Sequence, residues 1–153
     1  MTAPQPPAAP PTAPTLLRPA LALLAGLGVT VLIVGAGVVI STLAAMRDAP
    51  NPAQFAPPAW YYATNLTLSA VGAAAGGFTT ARVTTGRSFF TVYVLALMLF
   101  MSGIAPVLRG TTGSAGQPQW YPLALAILGP LGVLLGGAFE RRRAAGPQGE
   151  GAP

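Results

Sequence analysis

Side chains that commonly perform chemistry in proteins are scarce in this chain. Cysteine and histidine are absent, and the three acidic residues are Asp48, Glu140 and Glu150. Metal and haem sites need thiolate, imidazole or clustered carboxylate ligands, and acid–base catalysis needs a titratable group with a positioned partner. Because none of the three carboxylates has an evident partner, we predict no catalytic, cofactor-binding or metal site and no enzymatic activity.

The segment between residues 59 and 81 carries a regular row of small and polar residues. Its members follow one another at spacings of three or four: Tyr61, Asn65, Ser69, Gly72, Gly76 and Thr80. At about 100° per residue these positions share one face of a helix. Small residues let membrane helices approach closely while an amide or hydroxyl bonds across the contact, and this packing interpretation is favoured. The alternative is that the same groups line a path for a solute or ion.

Two other segments carry similar rows of small residues. Gly132 and Gly136 form a GxxxG pair, a spacing that is common at contacts between membrane helices. Residues 19–46 carry two rows on roughly opposite helical faces, Gly26/Thr30/Gly37/Ser41 and Gly28/Gly35/Thr42. We therefore predict that this first helix contacts two neighbours and lies at the centre of the fold.

All these rows lie in long segments without a charged residue. Apolar residues make up 52% of the chain and charged residues 7%, against about 25% charged residues in an ordinary soluble domain. Helices of a soluble bundle carry a charged face, whereas about 20 apolar residues are enough to cross a bilayer. The sequence therefore predicts an all-α integral membrane bundle with four transmembrane helices, at about residues 19–46, 59–81, 89–108 and 120–139.

The composition changes on either side of this bundle. Residues 1–17 are rich in proline and alanine, which predicts a disordered N-terminal tail. Residues 18–140 form the predicted transmembrane domain, and residues 141–153 a basic and then disordered C-terminal tail.

The arginines predict the orientation of the bundle in the membrane. An even number of spans places both termini on one side, where six arginines act as predicted anchors: Arg18, Arg82, Arg87, Arg141, Arg142 and Arg143. The other side has only Arg47 and Arg109. Since basic residues near spans favour the cytoplasm, the N- and C-termini are predicted to be cytoplasmic. The absence of lysine beside abundant alanine, glycine and arginine is typical of GC-rich bacterial genomes, so the predicted location is a bacterial inner membrane.

Two segments resemble small uncharacterised four-span membrane proteins of bacteria. Residues 76–82, GGFTTAR, are similar to a Gly-Gly…Ala-Arg helix ending seen in many of them, and residues 120–143 are similar to their last helix. The resemblance extends over about half of the chain. It implies a four-span fold and carries over no activity. Small multidrug transporters also have four spans, but their first helix contains an acidic residue that this chain lacks.

The predicted function is that of a non-enzymatic structural or accessory helix bundle. It would lie in the lipid bilayer and associate with itself or with a membrane-protein partner, without a cofactor. Its arginines lie between apolar runs rather than along one stripe, so no nucleic-acid partner is predicted. The alternative is a small permease or channel for an uncharged solute, lined by Tyr61, Asn65, Ser69 and Thr80.

Overall fold

Four α-helices make up the described part of the chain. The computed structural model describes residues 13–47, 57–84, 89–109 and 117–146, with side chains from residue 17 onward. The helices are α1 (Ala13–Arg47), α2 (Ala59–Val83), α3 (Phe90–Leu108) and α4 (Trp120–Ala144). The prediction of an all-α helical bundle is therefore confirmed.

Two of the helices extend beyond the uncharged segments. α1 begins at Ala13, inside the segment predicted to be disordered, and continues through Pro19. α4 continues to Ala144, so that residues 141–143 form its last turn. Charge marks where a helix leaves an apolar surrounding, but arginine is a good helix former and does not end the helix. Ala145 and Gly146 follow α4, and residues 1–12 and 147–153 of the two predicted tails lie outside the described residues.

Three of the four described helices are long and apolar enough to cross a membrane: Leu17–Arg47, Phe90–Leu108 and Trp120–Ala144. α2 has 25 residues, which corresponds to about 37 Å of helix, against a hydrocarbon core of about 30 Å. Its length is therefore sufficient. Its Thr, Ser, Asn and Gly residues leave it short of the apolar character that the other three helices have.

The two helices at the centre of the bundle are α2 and α4, which pack side by side and run parallel. α1 packs antiparallel against α2, and α3 packs antiparallel against α4. α1 and α3 have few contacts with each other. The prediction that α1 is central is wrong, because α1 packs mainly against α2 and the glycines of its second row meet no neighbour. A Cβ atom built on Gly28 or Gly35 would have nothing within 4 Å.

The ends of the helices define the two ends of the bundle. Trp60 and Trp120 begin α2 and α4, and we call this the tryptophan end. Arg82 and residues 141–143 lie in the last turns of the same two helices, at the arginine end. Because α1 and α3 are antiparallel to this pair, they begin at the arginine end and finish at the tryptophan end.

The distribution of side-chain sizes is the reverse of that in a soluble protein. Three tyrosines and Ala45 form a core cluster at the tryptophan end, but the other core cluster is built from small or medium side chains: Ala73, Ala81, Val92, Leu95, Ala96 and Val133. Large apolar side chains point outward instead, with Leu32 72% exposed and Phe90 73% exposed. An apolar outer surface of this extent indicates an apolar surrounding, and small residues at the contacts are typical of helices that pack in lipid.

Candidate functional site

α1 and α2 approach each other closely at a contact between two glycines. A Cβ atom built on Gly26 would lie 2.7 Å from the carbonyl oxygen of Gly76, and one built on Gly76 would lie 2.6 Å from the carbonyl oxygen of Gly26. Both distances are too short for a real side chain. The two backbones can therefore cross at this separation only because both positions are glycine.

Two threonines flank this glycine contact in equivalent positions. The Thr30 hydroxyl lies 2.9 Å from the Gly26 carbonyl oxygen and 3.3 Å from that of Gly72 in α2. The Thr80 hydroxyl lies 2.9 Å from the Gly76 carbonyl oxygen and 3.3 Å from that of Ala22 in α1. Each hydroxyl thus donates one hydrogen that is shared between its own helix and the neighbouring one.

The two helices contribute the same pattern to this contact. A small residue, a glycine and a threonine follow at spacings of four in Ala22/Gly26/Thr30 and again in Gly72/Gly76/Thr80. Since the helices are antiparallel, each threonine meets the first residue of the opposite set. The result is a local two-fold arrangement centred on the two glycines.

A buried amide lies further toward the tryptophan end of the same contact. Asn65 is 1% exposed, and its Oδ1 lies 3.0 Å from the Ser41 hydroxyl. Ser41 is closer to the carbonyl oxygen of Gly37, at 2.7 Å. The Asn65 Nδ2 atom has no hydrogen-bond partner among the described residues.

The single hydrogen of the Ser41 hydroxyl decides which Asn65 atom faces it. If that hydrogen is donated to Gly37, the nearer acceptor, only an oxygen lone pair remains for Asn65. An amide with its nitrogen and oxygen exchanged then donates to Ser41, so the hydrogen-bond network favours the exchanged orientation in that case. In either orientation the amide keeps at least one polar atom without a partner in the part of the chain that the structure describes.

Aromatic residues close the bundle at the tryptophan end. The Tyr61 hydroxyl lies 3.3 Å from that of Thr42 in α1. Beside it, the rings of Tyr62 and Tyr121 join α2 to α4, with centroids 5.0 Å apart and an edge-to-face arrangement. The Trp120 ring lies on the same side, with its centroid 6.1 Å from that of the Tyr62 ring. Aromatic pairs of this geometry stabilise a contact beyond the area that they bury.

The GxxxG pair of α4 lies in the contact with α2. A Cβ atom built on Gly132 would lie 2.8 Å from the carbonyl oxygen of Ala70, and one on Gly136 would overlap the carbonyl oxygen of Ala74. Gly77 is placed in the same way against the backbone of Val133. These glycines bring α2 and α4 together, so α2 is bound closely on two sides.

Ser69, in the predicted α2 polar face, lines a cleft. This cleft has a volume of about 410 Å³ and lies between α1 and α3, above α2 and α4. Two further hydroxyl residues line it, Thr30 and Ser102, together with mostly apolar side chains. The rest of the α2 polar face is turned into contacts between helices.

The predicted anchors all have exposed side chains where the structure describes them. Arg18, Arg82 and residues 141–143 lie at the arginine end, whereas Arg47 and Arg109 lie at the tryptophan end. Arg87 lies outside the described residues. The Arg141 guanidinium lies over the Phe89 ring, 5.8 Å from its centroid. Sequence reasoning missed this contact because the two residues are distant in the chain.

The packing of the polar face therefore differs from that of an open channel. Tyr61, Asn65 and Thr80 each contact a polar atom of α1, and Gly72 and Gly76 contact its side chains or backbone. Within the described ranges, no cluster of three or more His, Cys, Asp or Glu side chains could hold a metal ion.

No protein-family model, curated protein or solved structure matches the chain.

Proposed function

We propose that the chain is an integral membrane protein in which all four helices, including α2, cross the bilayer. Three helices have the length and apolar character that this requires. α2 runs parallel to α4 between the same two ends, and ten of its 25 residues are buried. A helix that is covered by protein on most sides does not need the apolar surface of a helix that faces lipid.

The function that the geometry supports best is that of a non-enzymatic structural or accessory bundle. The observation that carries this proposal is the use of the α2 polar face in its contact with α1. Asn65 and Thr80 are fully buried there and lie within hydrogen-bonding distance of α1 atoms. Groups that hold two helices together are not free to bind a solute along a path.

The bundle would act by association with a second copy or with a membrane-protein partner. The support is the outer face of α1, where a Cβ atom built on Gly28 would have no neighbour within 4 Å and several large apolar side chains are exposed. Cross-linking in native membranes tests this, followed by purification of the products. We expect a dimer or a defined hetero-complex, and a chain that remains monomeric and without a partner would contradict the proposal.

The termini would lie in the cytoplasm, since the arginine end has more basic residues than the tryptophan end. A C-terminal fusion to a reporter that is active only in the cytoplasm should be active. The same chain fused to a reporter that is active only outside the inner membrane should be inactive. The reverse pair of results would show the opposite orientation.

The cleft between α1 and α3 favours the alternative, a permease for a small uncharged solute. It has hydroxyl groups on three helices, from Thr30, Ser69 and Ser102. Glycerol and urea flux into reconstituted vesicles tests this alternative, with Ser69→Leu as the variant that narrows the cleft. The accessory proposal predicts no flux above that of protein-free vesicles. A flux that Ser69→Leu abolishes, while the bundle stays assembled, would establish the permease instead.

A further inference from the structure

A second cavity lies on the face of the central pair that α1 and α3 leave uncovered. This groove has a volume of about 620 Å³, and all of its lining residues belong to α2 and α4. Small residues, among them Ala75 and Gly136, leave it room. A volume of this size lies within the range of about 300–1,000 Å³ that is typical of ligand sites.

The groove is apolar along its length and has a cation at one end. Phe78 and Phe139 line it with ring centroids 6.3 Å apart, and Phe139 is 64% exposed. Arg142 lines the groove at the arginine end. From Leu135 to Arg142 the lining extends over eight residues of α4, or roughly 10 Å along the helix axis.

The three consecutive arginines of α4 are not equivalent. The Arg141 guanidinium lies over Phe89 at the beginning of α3. Arg142 lines the groove, whereas Arg143 does not. Successive residues of a helix point about 100° apart, so only the middle arginine is brought to this site.

We propose that this groove binds one anionic phospholipid, with an acyl chain along the aromatic side chains and the phosphate at Arg142. The inference rests on the proposal that the bundle lies in a membrane, which puts the arginine end at the level of the headgroups. A guanidinium binds a phosphate through two parallel hydrogen bonds. The apolar part of the groove continues from that point toward the bilayer centre, as an acyl chain does.

A second copy of the chain fits this groove less well than a lipid does. Copies related by a two-fold axis along the membrane normal would present the same face to each other. Their Arg142 side chains would then approach one another, together with their neighbouring arginines. Like charges at such a contact disfavour it, whereas a phosphate at the same place neutralises one of them.

Native mass spectrometry of the full-length protein tests the proposal. The protein is released from mixed micelles with phosphatidylglycerol or neutral phosphatidylcholine, and the bound lipids are counted over a titration. We expect one phosphatidylglycerol to bind more tightly than phosphatidylcholine. Arg142→Gln should weaken this binding about tenfold or more, because it removes the charge-assisted hydrogen bonds to the phosphate.

Charge-matched variants separate a site from diffuse attraction. Arg141→Gln and Arg143→Gln remove the same charge one residue away and should keep the tight phosphatidylglycerol. Equal losses of phosphatidylglycerol affinity in the three variants would overturn the proposal, because they would show that net charge alone attracts the lipid. A dimer that Ala75→Leu dissociates would also overturn the proposal, because it would show that a second copy occupies the groove in place of lipid.

A filling variant tests the apolar part of the groove with Arg142 in place. Ala75→Leu should release the tight phosphatidylglycerol, and Ala63→Leu, at an exposed α2 position that does not line the groove, should retain it. Retention in both variants would contradict the acyl-chain site. If the membrane proposal itself were wrong, the result would differ from a loss of lipid binding. The protein would then stay folded and monodisperse in buffer without detergent.

Discussion

Gly26 and Gly76 lie so close that a methyl group on either would approach the backbone carbonyl oxygen of the other to within 2.7 Å. This relationship sets the separation of α1 and α2. It also lets the Thr30 and Thr80 hydroxyls reach across to the opposite backbone. The packing of α2 therefore depends first on the absence of two side chains and then on the two hydroxyls.

Gly76→Ala should destabilise the bundle. The added methyl group would meet the Thr30 hydroxyl and the Gly26 carbonyl oxygen, and overpacking of this kind costs roughly 1–3 kcal/mol. Gly28→Ala is the control, because its methyl group would have nothing within 4 Å; it should leave stability unchanged or raise it by about 0.4–1 kcal/mol. Unfolding by sodium dodecyl sulfate, followed by the fluorescence of Trp60 and Trp120, measures both. Equal stability of the two variants would contradict the close contact.

Gly136→Ala should weaken the contact between α2 and α4 in the same way. The new methyl group would overlap the Ala74 carbonyl oxygen, so we expect a loss of roughly 1–3 kcal/mol. In Gly129→Ala, on the same helix, the methyl group would lie 3.7 Å from the Leu99 Cβ atom, an ordinary contact. That variant should be as stable as the unmodified chain. If Gly129→Ala lowered the free energy of unfolding more than Gly136→Ala did, the assigned packing of α4 would be contradicted.

Thr80→Val should cost more stability than Thr79→Val. Both hydroxyls bond to the carbonyl oxygen four residues earlier, but only Thr80 also reaches a carbonyl oxygen of α1. Hydrogen bonds between membrane helices contribute about 0.6 kcal/mol on average and up to about 1.7 kcal/mol. The difference between the two unfolding free energies should lie in this range. No difference would mean that the Thr80 hydroxyl adds nothing to the contact with α1.

Ser41 and Asn65 should behave as a coupled pair. Ser41→Ala leaves the buried Asn65 amide without a side-chain partner, and an unsatisfied polar group costs about 1–3 kcal/mol. In Ser41→Ala/Asn65→Leu the amide itself is gone, so the double variant should be more stable than the sum of the single effects predicts. A double-mutant cycle measures this coupling, and strict additivity would show that the two groups do not interact.

The sequence predicts the helices well because charge is costly in an apolar surrounding. The uncharged runs locate α1 to α4, and the spacing of Asn65, Gly76 and Thr80 places them on one face, as found in the structure. The helix ends are less predictable, since arginine marks a change of surrounding and not the end of a helix.

The neighbours of each helix were harder to predict. The α1 rows that contain Gly26 and Gly28 look alike in the sequence, yet only the glycines of the first row lie against α2. Which row is used depends on its match to Gly72, Gly76 and Thr80, a relation between two segments that neither shows alone. The groove at Arg142 likewise arises from two helices that are distant in the chain.

The central claim is that α2 crosses the membrane with its polar face closed against α1. Because the chain has no cysteine, single replacements can be labelled with a membrane-impermeant maleimide in intact cells and in inverted vesicles. We predict labelling of Trp60→Cys in cells only, of Arg82→Cys in vesicles only, and of Asn65→Cys and Thr80→Cys in neither. Labelling of positions 65 and 80, or of positions 60 and 82 from the same side, would contradict the account.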